Sequence, residues 1–231
     1  MSNRYSARFW VRFFDICFSL IAIIALLPLF LICAVLLRFT GEGEIFYSQV
    51  RVGRNRKNFS MLKFATMLKD SPNMVGGNIT VAGDSRVLPV GKFLRKTKIN
   101  ELPQLWNVLV GDMSLVGPRP ITPDTFGYYT PNGQSVISIV RPGITGVSSI
   151  IFRSEEDMVN IGADPREFYK QQISPYKEAL ELWFVDNYSL KLYFKLMAVT
   201  AVVLFSTNSK LIFSFVHGVP DVPLSLRKFL V

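Results

Sequence analysis

The sequence predicts an α+β, mostly helical fold: an N-terminal membrane helix, a small cytoplasmic domain beside it, and helices lying in the membrane interface. Three observations carry this expectation. Residues 16–37 form an apolar run in which only Ser19 is strongly polar. Two short β-favouring segments follow it, around a polar connection. The last third of the chain keeps helical periodicity and then turns strongly apolar. Composition agrees, because 49% of the 231 residues are hydrophobic, more than a soluble domain of this size usually carries.

A straight helix over residues 16–37 covers roughly 33 Å, enough to span a bilayer. The plainest reading is a single anchor. No small-residue cleavage site follows, which argues against a signal peptide. Two features point instead to a re-entrant helix. Pro28 sits inside the run, where its missing N–H breaks or kinks a helix. Positive charge flanks both ends, with Arg4, Arg8 and Arg12 before it and Arg38, Arg51, Arg54, Arg56 and Lys57 after it. A helix that enters, turns at Pro28 and leaves on the same side keeps both ends cytoplasmic.

Beyond Gly41-Glu42-Gly43-Glu44, residues 45–50 and 59–64 read as strands of a hairpin, joined by a connection with one Gly and two Asn. Residues 71–86 read as loop. Residues 93–109 carry a helical pattern broken near Pro103, while Asn132-Gly133 and Pro142-Gly143 mark turns. Residues 167–186 predict an amphipathic, mostly polar helix. Residues 190–205 predict a second helix, strongly apolar after Lys195, suited either to the membrane interface or to the core. The division that results is a membrane segment over residues 1–40, a membrane-associated domain over 41–206 and a tail over 207–231.

Lys and Arg number 26 against 17 Asp and Glu, a surplus of +9 that suits anionic lipids or phosphate-bearing substrates. Nucleic acid is the weakest of the basic partners, because no zinc finger, helix-turn-helix or aromatic RNA-binding signature accompanies the charge. The single histidine, His217, lies in the C-terminal stretch far from any acidic cluster, which argues against a zinc site and a histidine-based triad. Cys17 and Cys33 both lie in the apolar segment and read as core or lipid-facing residues in a reducing compartment.

Residues 92–120, KFLRKTKINELPQLWNVLVGDMSLVGPRP, hold most of the groups that phosphate chemistry uses. Arg95, Lys96 and Lys98 precede an expected helix start at Asn100, a good N-cap residue. Glu101 can ligate a divalent cation that bridges phosphates. Asp112 can cap a turn with Ser114 or act as a second carboxylate. Arg119 lies between Pro118 and Pro120, a stiff setting for a bidentate phosphate contact.

This order of residues resembles the signature of the small monotopic phosphoglycosyl transferases, the bacterial sugar transferases. The resemblance covers nearly the whole chain. Arg12-Phe13-Phe14-Asp15 matches the family's basic-aromatic-Asp motif, and Pro28 its helix break. Gln49-Val50-Arg51-Val52-Gly53, residues 59–67 and Pro142-Gly143-Ile144-Thr145-Gly146 match later blocks. It implies transfer of a sugar phosphate from a UDP-sugar to undecaprenyl phosphate with release of UMP, at the cytoplasmic face of the bacterial inner membrane. This is the first membrane step of polysaccharide or glycoconjugate assembly. It further implies Mg²⁺ at Glu101, phosphate or nucleotide contacts from Lys63, Arg95 and Arg119, and a site that includes Arg12, Pro118 and Pro120.

Four departures stand out. Asn100 occupies the position of the family's nucleophilic Asp, and a neutral amide is a poor nucleophile. Ala65 replaces a frequent Arg, Tyr193 a frequent Asp, and residues 146–157 differ from the common continuation. Three readings follow: another carboxylate (Glu101 or Asp112) serves, transfer is direct between two bound substrates, or the chain binds UDP-sugar or lipid without turnover as a membrane scaffold. Concerted change at several sites favours a divergent working enzyme.

Overall fold

The computed structural model describes residues 2–71, 73–74, 83–153, 155, 158, 165–206 and 211–230. Most of the expected loop over 71–86 and much of 154–164 lie outside the described residues. Among the described residues the protein is mostly helical, with two small sheets.

Helix α1 (Ser2–Arg38) continues through Pro28. Its apolar stretch reaches a mean hydropathy of 3.2 and is long enough to cross a membrane. Its two flanks pack on the rest of the chain, whereas Ile21, Ile24 and Leu27 between them are exposed. On the first flank Val11 joins the main core. Beside it the buried Asp15 accepts hydrogen bonds from Ser114 Oγ (3.0 Å), the Leu115 N–H (2.9 Å) and the Tyr193 hydroxyl (3.0 Å). Tyr193, a departure from the family pattern, is thus the hydroxyl partner of Asp15. On the second flank Cys33 and Leu37 pack with Phe64 and Leu94.

The expected hairpin forms. Strands β1 (Phe46–Val52) and β2 (Asn58–Phe64) are antiparallel, pairing Phe46 with Phe64 and Val52 with Asn58. The turn residues Asn55 and Arg56 take positive φ, a conformation in which Asn is well tolerated. Alternation along the strands then places Tyr47, Gln49 and Arg51 on one face with Lys63.

The helical pattern over 93–109 resolves into α2 (Pro89–Lys96), a 3₁₀ turn (Ile99–Glu101) and α3 (Gln104–Val110). Asn100 lies inside that turn and caps no helix. Pro103, which has no backbone N–H to donate, occupies the N-cap position of α3.

Strand β3 (Ser114–Val116) precedes α4 (Pro123–Phe126) and α5 (Pro131–Ile137), and β4 (Gly143–Thr145) then pairs with β3 in parallel. Asn132-Gly133 falls inside α5, so the turn expected there is not formed. Thr130 instead caps α5 by accepting from the Gly133 N–H at 3.0 Å. A Cβ on Gly117 would meet the Arg141 carbonyl, and one on Gly143 the Gly117 nitrogen. Only glycine lets these two segments approach so closely.

After α6 (Val147–Ile151), α7 (Pro165–Phe168) runs through a wider turn (Tyr169–Ile173) into α8 (Ser174–Asp186), followed by α9 (Leu190–Ser206). The polar reading of α8 is corrected: Lys177, Glu178 and Glu181 are all buried. Each is matched there, Lys177 by Glu155, Glu178 by the Thr130 N–H and Glu181 by the Arg119 N–H. Leu192, Leu196, Val199 and Val203 of α9 enter the core, while Val202 and Leu204 stay exposed. Short helices α10 (Leu211–Phe215) and α11 (Leu224–Leu230) close the fold. The residues set apart as a tail contribute Ile212, Val216, Leu226 and Leu230 to the main core.

Candidate active site

The hairpin, the 3₁₀ turn and the segment after β3 converge on a cavity of about 510 Å³. Lys63 enters it from β2, Arg95 from the last turn of α2, and Lys98, Asn100 and Glu101 from the turn that follows. Arg119 and Pro120 complete this side, held in place by the close crossing of β3 and β4. Arg119 Nη2 lies 4.0 Å from Glu101 Oε1. The three residues expected to hold phosphate, Lys63, Arg95 and Arg119, therefore share one wall with Glu101, the expected metal ligand.

Two expected site residues stand elsewhere. Arg12 donates to the carbonyls of Val108 (2.5 Å) and Leu109 (2.8 Å) near the C-terminal end of α3. Its charge there opposes the negative end of the helix dipole and joins α1 to the domain. Pro118 is buried and does not line the cavity; its carbonyl accepts from the Gly143 N–H at 2.8 Å. Lys96 and Asp112 are exposed and line no part of the cavity.

Two contributors escaped the sequence reading. Arg51 lines the cavity and donates to the Pro120 carbonyl (3.0 Å) and to Gln49 Oε1 (2.5 Å), coupling the hairpin to the Arg119 segment. Its sequence signals were its place in the Gln49–Gly53 block and in the positive flank after the apolar run. Glu181, behind the wall, accepts the Arg119 N–H at 2.9 Å and the Ser148 hydroxyl. Burial pushes its carboxyl up to about 7. Nothing local in the sequence separates it from an ordinary surface glutamate.

Charge in the cavity is unevenly distributed. Burial would push the Glu101 carboxyl up, but Lys63, Arg119, Lys98 and Arg95 outweigh it and hold the group below its usual range. Lys63 is lowered as well, which for an amine favours the neutral form. Burial lowers it to about 7, Glu101 opposes that, and Arg51, Arg119 and Arg95 reinforce it. Such a wall favours a ligand bearing several negative charges.

The chain matches the bacterial sugar transferase family over residues 6–207. It belongs to that family. Among related proteins it is 36% identical over 158 residues to the exopolysaccharide production protein ExoY of Sinorhizobium fredii, covering 62% of this chain and 70% of that one. It is 34% identical over 199 residues to the undecaprenyl-phosphate galactose phosphotransferase of Salmonella typhimurium, covering 80% of this chain and 38% of the relative. It is 37% identical over 174 residues to an N-acetylgalactosaminephosphotransferase of Aeromonas hydrophila, covering 73% and 41%. The chain thus spans less than half the length of the last two.

Within a sugar transferase this wall has a measurable consequence. In the free protein the Lys63 ammonium is half lost near pH 7. A diphosphate placed beside it restores its proton affinity, so binding takes up a proton, toward about one per site at pH 8. UDP titrations in buffers of different ionisation enthalpy should reveal this uptake in the unmodified chain and little of it in Lys63→Met. Equal uptake in both would assign the proton to another group.

Proposed function

We propose that the chain transfers a sugar phosphate from a UDP-sugar to undecaprenyl phosphate at the cytoplasmic face of the inner membrane, releasing UMP. The observation that carries this is the convergence of Lys63, Arg95 and Arg119 around Glu101 in one cavity. The names of the Salmonella and Aeromonas relatives support the same chemistry.

Direct displacement suits these residues. An oxygen of the lipid phosphate attacks the β-phosphorus of the donor. The bond from that phosphorus to the bridging oxygen breaks, and UMP leaves with the oxygen. Arg119, Arg95 and Lys63 offset the charge that builds on the phosphoryl oxygens. Asn100 is buried, lines the cavity, and its Oδ1 has no hydrogen-bond partner among the described residues. That oxygen and the Glu101 carboxylate offer hard ligands, and Mg²⁺ held by them would supply further neutralisation of the diphosphate.

The amide at position 100 also supports a second reading, a membrane scaffold that binds the donor without turnover. UMP release from a panel of UDP-sugars with undecaprenyl phosphate decides between them. The unmodified chain is expected to turn over, and Asn100→Asp to change the rate by less than about tenfold. An inert unmodified chain rescued by Asn100→Asp would sink the direct-displacement reading.

The membrane arrangement is part of the proposal. Both flanks of α1 pack on one domain, Val11 in the main core and Leu37 against Phe64 and Leu94, with exposed apolar residues between them. A re-entrant α1, dipping into the bilayer around residues 20–28, accommodates this, and the apolar exposed side of α9 suits the interface. Cysteines introduced at positions 3 and 42, with Cys17 and Cys33 replaced, should both be shielded from impermeant reagents in intact cells. Labelling of one and not the other would restore the spanning anchor.

A further inference from the structure

The cavity has a second wall whose chemistry differs from the cationic one. Phe152, Glu155, Tyr169 and Lys177 line it. Lys177 Nζ lies 2.6 Å from Glu155 Oε1 and 3.3 Å from the Tyr169 hydroxyl, and over the rings of Phe152 (5.1 Å) and Tyr169 (5.0 Å). The lysine side chain is only 2% exposed, whereas that of Glu155 is 20% exposed. One carboxylate oxygen is therefore engaged by Lys177. The other has no hydrogen-bond partner among the described residues.

We propose that this wall is the donor-sugar subsite, with the second Glu155 oxygen accepting hydrogen bonds from sugar hydroxyl groups. The inference rests on the donor reading above and names which wall reads the sugar. The Lys177–Glu155 pair is neutral overall, so this wall does not compete with the cationic one for phosphate. Arg119 and Glu155 line the same cavity, so a diphosphate held at Arg119 can place one of its two substituents at the Glu155 wall.

Hydrogen-bond complementarity decides which substituent. The pyrimidine edge of uracil presents one N–H between two carbonyl oxygens. An ionised carboxylate only accepts, so it satisfies the N–H and repels both neighbours. A pyranose presents adjacent hydroxyl donors, which a carboxylate oxygen takes without conflict. Lys177 keeps that carboxylate oriented, and the aromatic rings keep Lys177 in place. Two of the four wall residues, Phe152 and Glu155, also fall in the stretch after Gly146 that departs from the family's usual continuation, as a surface tuned to a particular sugar would.

Glu155→Gln tests this, since its amide can still offer an oxygen to Lys177 while the free acceptor becomes an N–H₂ donor. The full chain in lipid nanodiscs would be titrated calorimetrically with UDP-glucose, UDP-galactose, their N-acetylhexosamine counterparts and UMP. The best-bound UDP-sugar should weaken by about tenfold or more, with UMP affinity held within about twofold. Retained UMP binding also reports that the variant is folded. Equal weakening of UMP and UDP-sugar would mean that Glu155 reads the nucleotide, overturning the proposal. Unchanged affinity for every UDP-sugar would overturn it as well. Failure of the unmodified chain to bind UMP or any UDP-sugar would instead remove the donor reading, and this subsite with it.

Discussion

Replacing Glu101 with glutamine should lower the rate of UMP release by at least about 100-fold without weakening UDP-sugar binding. The side chain is nearly isosteric, so the loss is one of charge. Glu101 lies among Lys63, Arg95, Lys98 and Arg119, which hold its carboxylate ionised against burial. A neutral amide leaves those cations repelling one another and removes the anionic ligand proposed for Mg²⁺. The bound diphosphate can still neutralise the cations, so ground-state affinity stays level or rises while turnover falls. Initial rates and calorimetric affinities measured on the same preparation separate the two effects. A rate within a few-fold of the unmodified chain would exclude Glu101 from the chemistry.

Arg119→Ala should act in the opposite place, weakening UDP-sugar binding by more than about tenfold, equivalent to roughly 1.5–3 kcal/mol for a charged hydrogen bond. The fold should survive. The turn that carries Arg119 is held by its backbone: the N–H of residue 119 donates to Glu181, the Gly117 N–H to the Thr145 carbonyl, and the Gly143 N–H to the Pro118 carbonyl. None of these needs the guanidinium. Thermal unfolding should shift little, and affinity for UDP-sugar should fall. Near-normal affinity in a folded variant would exclude Arg119 from donor binding.

The long apolar helix, the hairpin, the family and the cavity residues Lys63, Arg95, Lys98 and Arg119 were legible in the order of the residues. Each depends on short-range patterns: an apolar run, two β-favouring segments around a turn, and a contiguous motif from Arg95 to Pro120. Burial of charge was not legible. Lys177, Glu178 and Glu181 occur at spacings that read as a polar helix face, and only α8, packed between other elements, makes them interior. The same limit hid the pairing of β3 with β4, because three-residue strands carry no periodicity and their glycines signal only turns until they are seen to touch. Arg12 illustrates it from the other direction. Local sequence places it in a functional motif, and the tertiary structure sets it against the C-terminal end of α3, outside the cavity. Asn100 was visible from the start as an amide where a carboxylate is usual. That its oxygen is buried, without a hydrogen-bond partner among the described residues, follows from the packing of the 3₁₀ turn against β2 and α2, since tertiary contacts decide which neighbours a side chain meets.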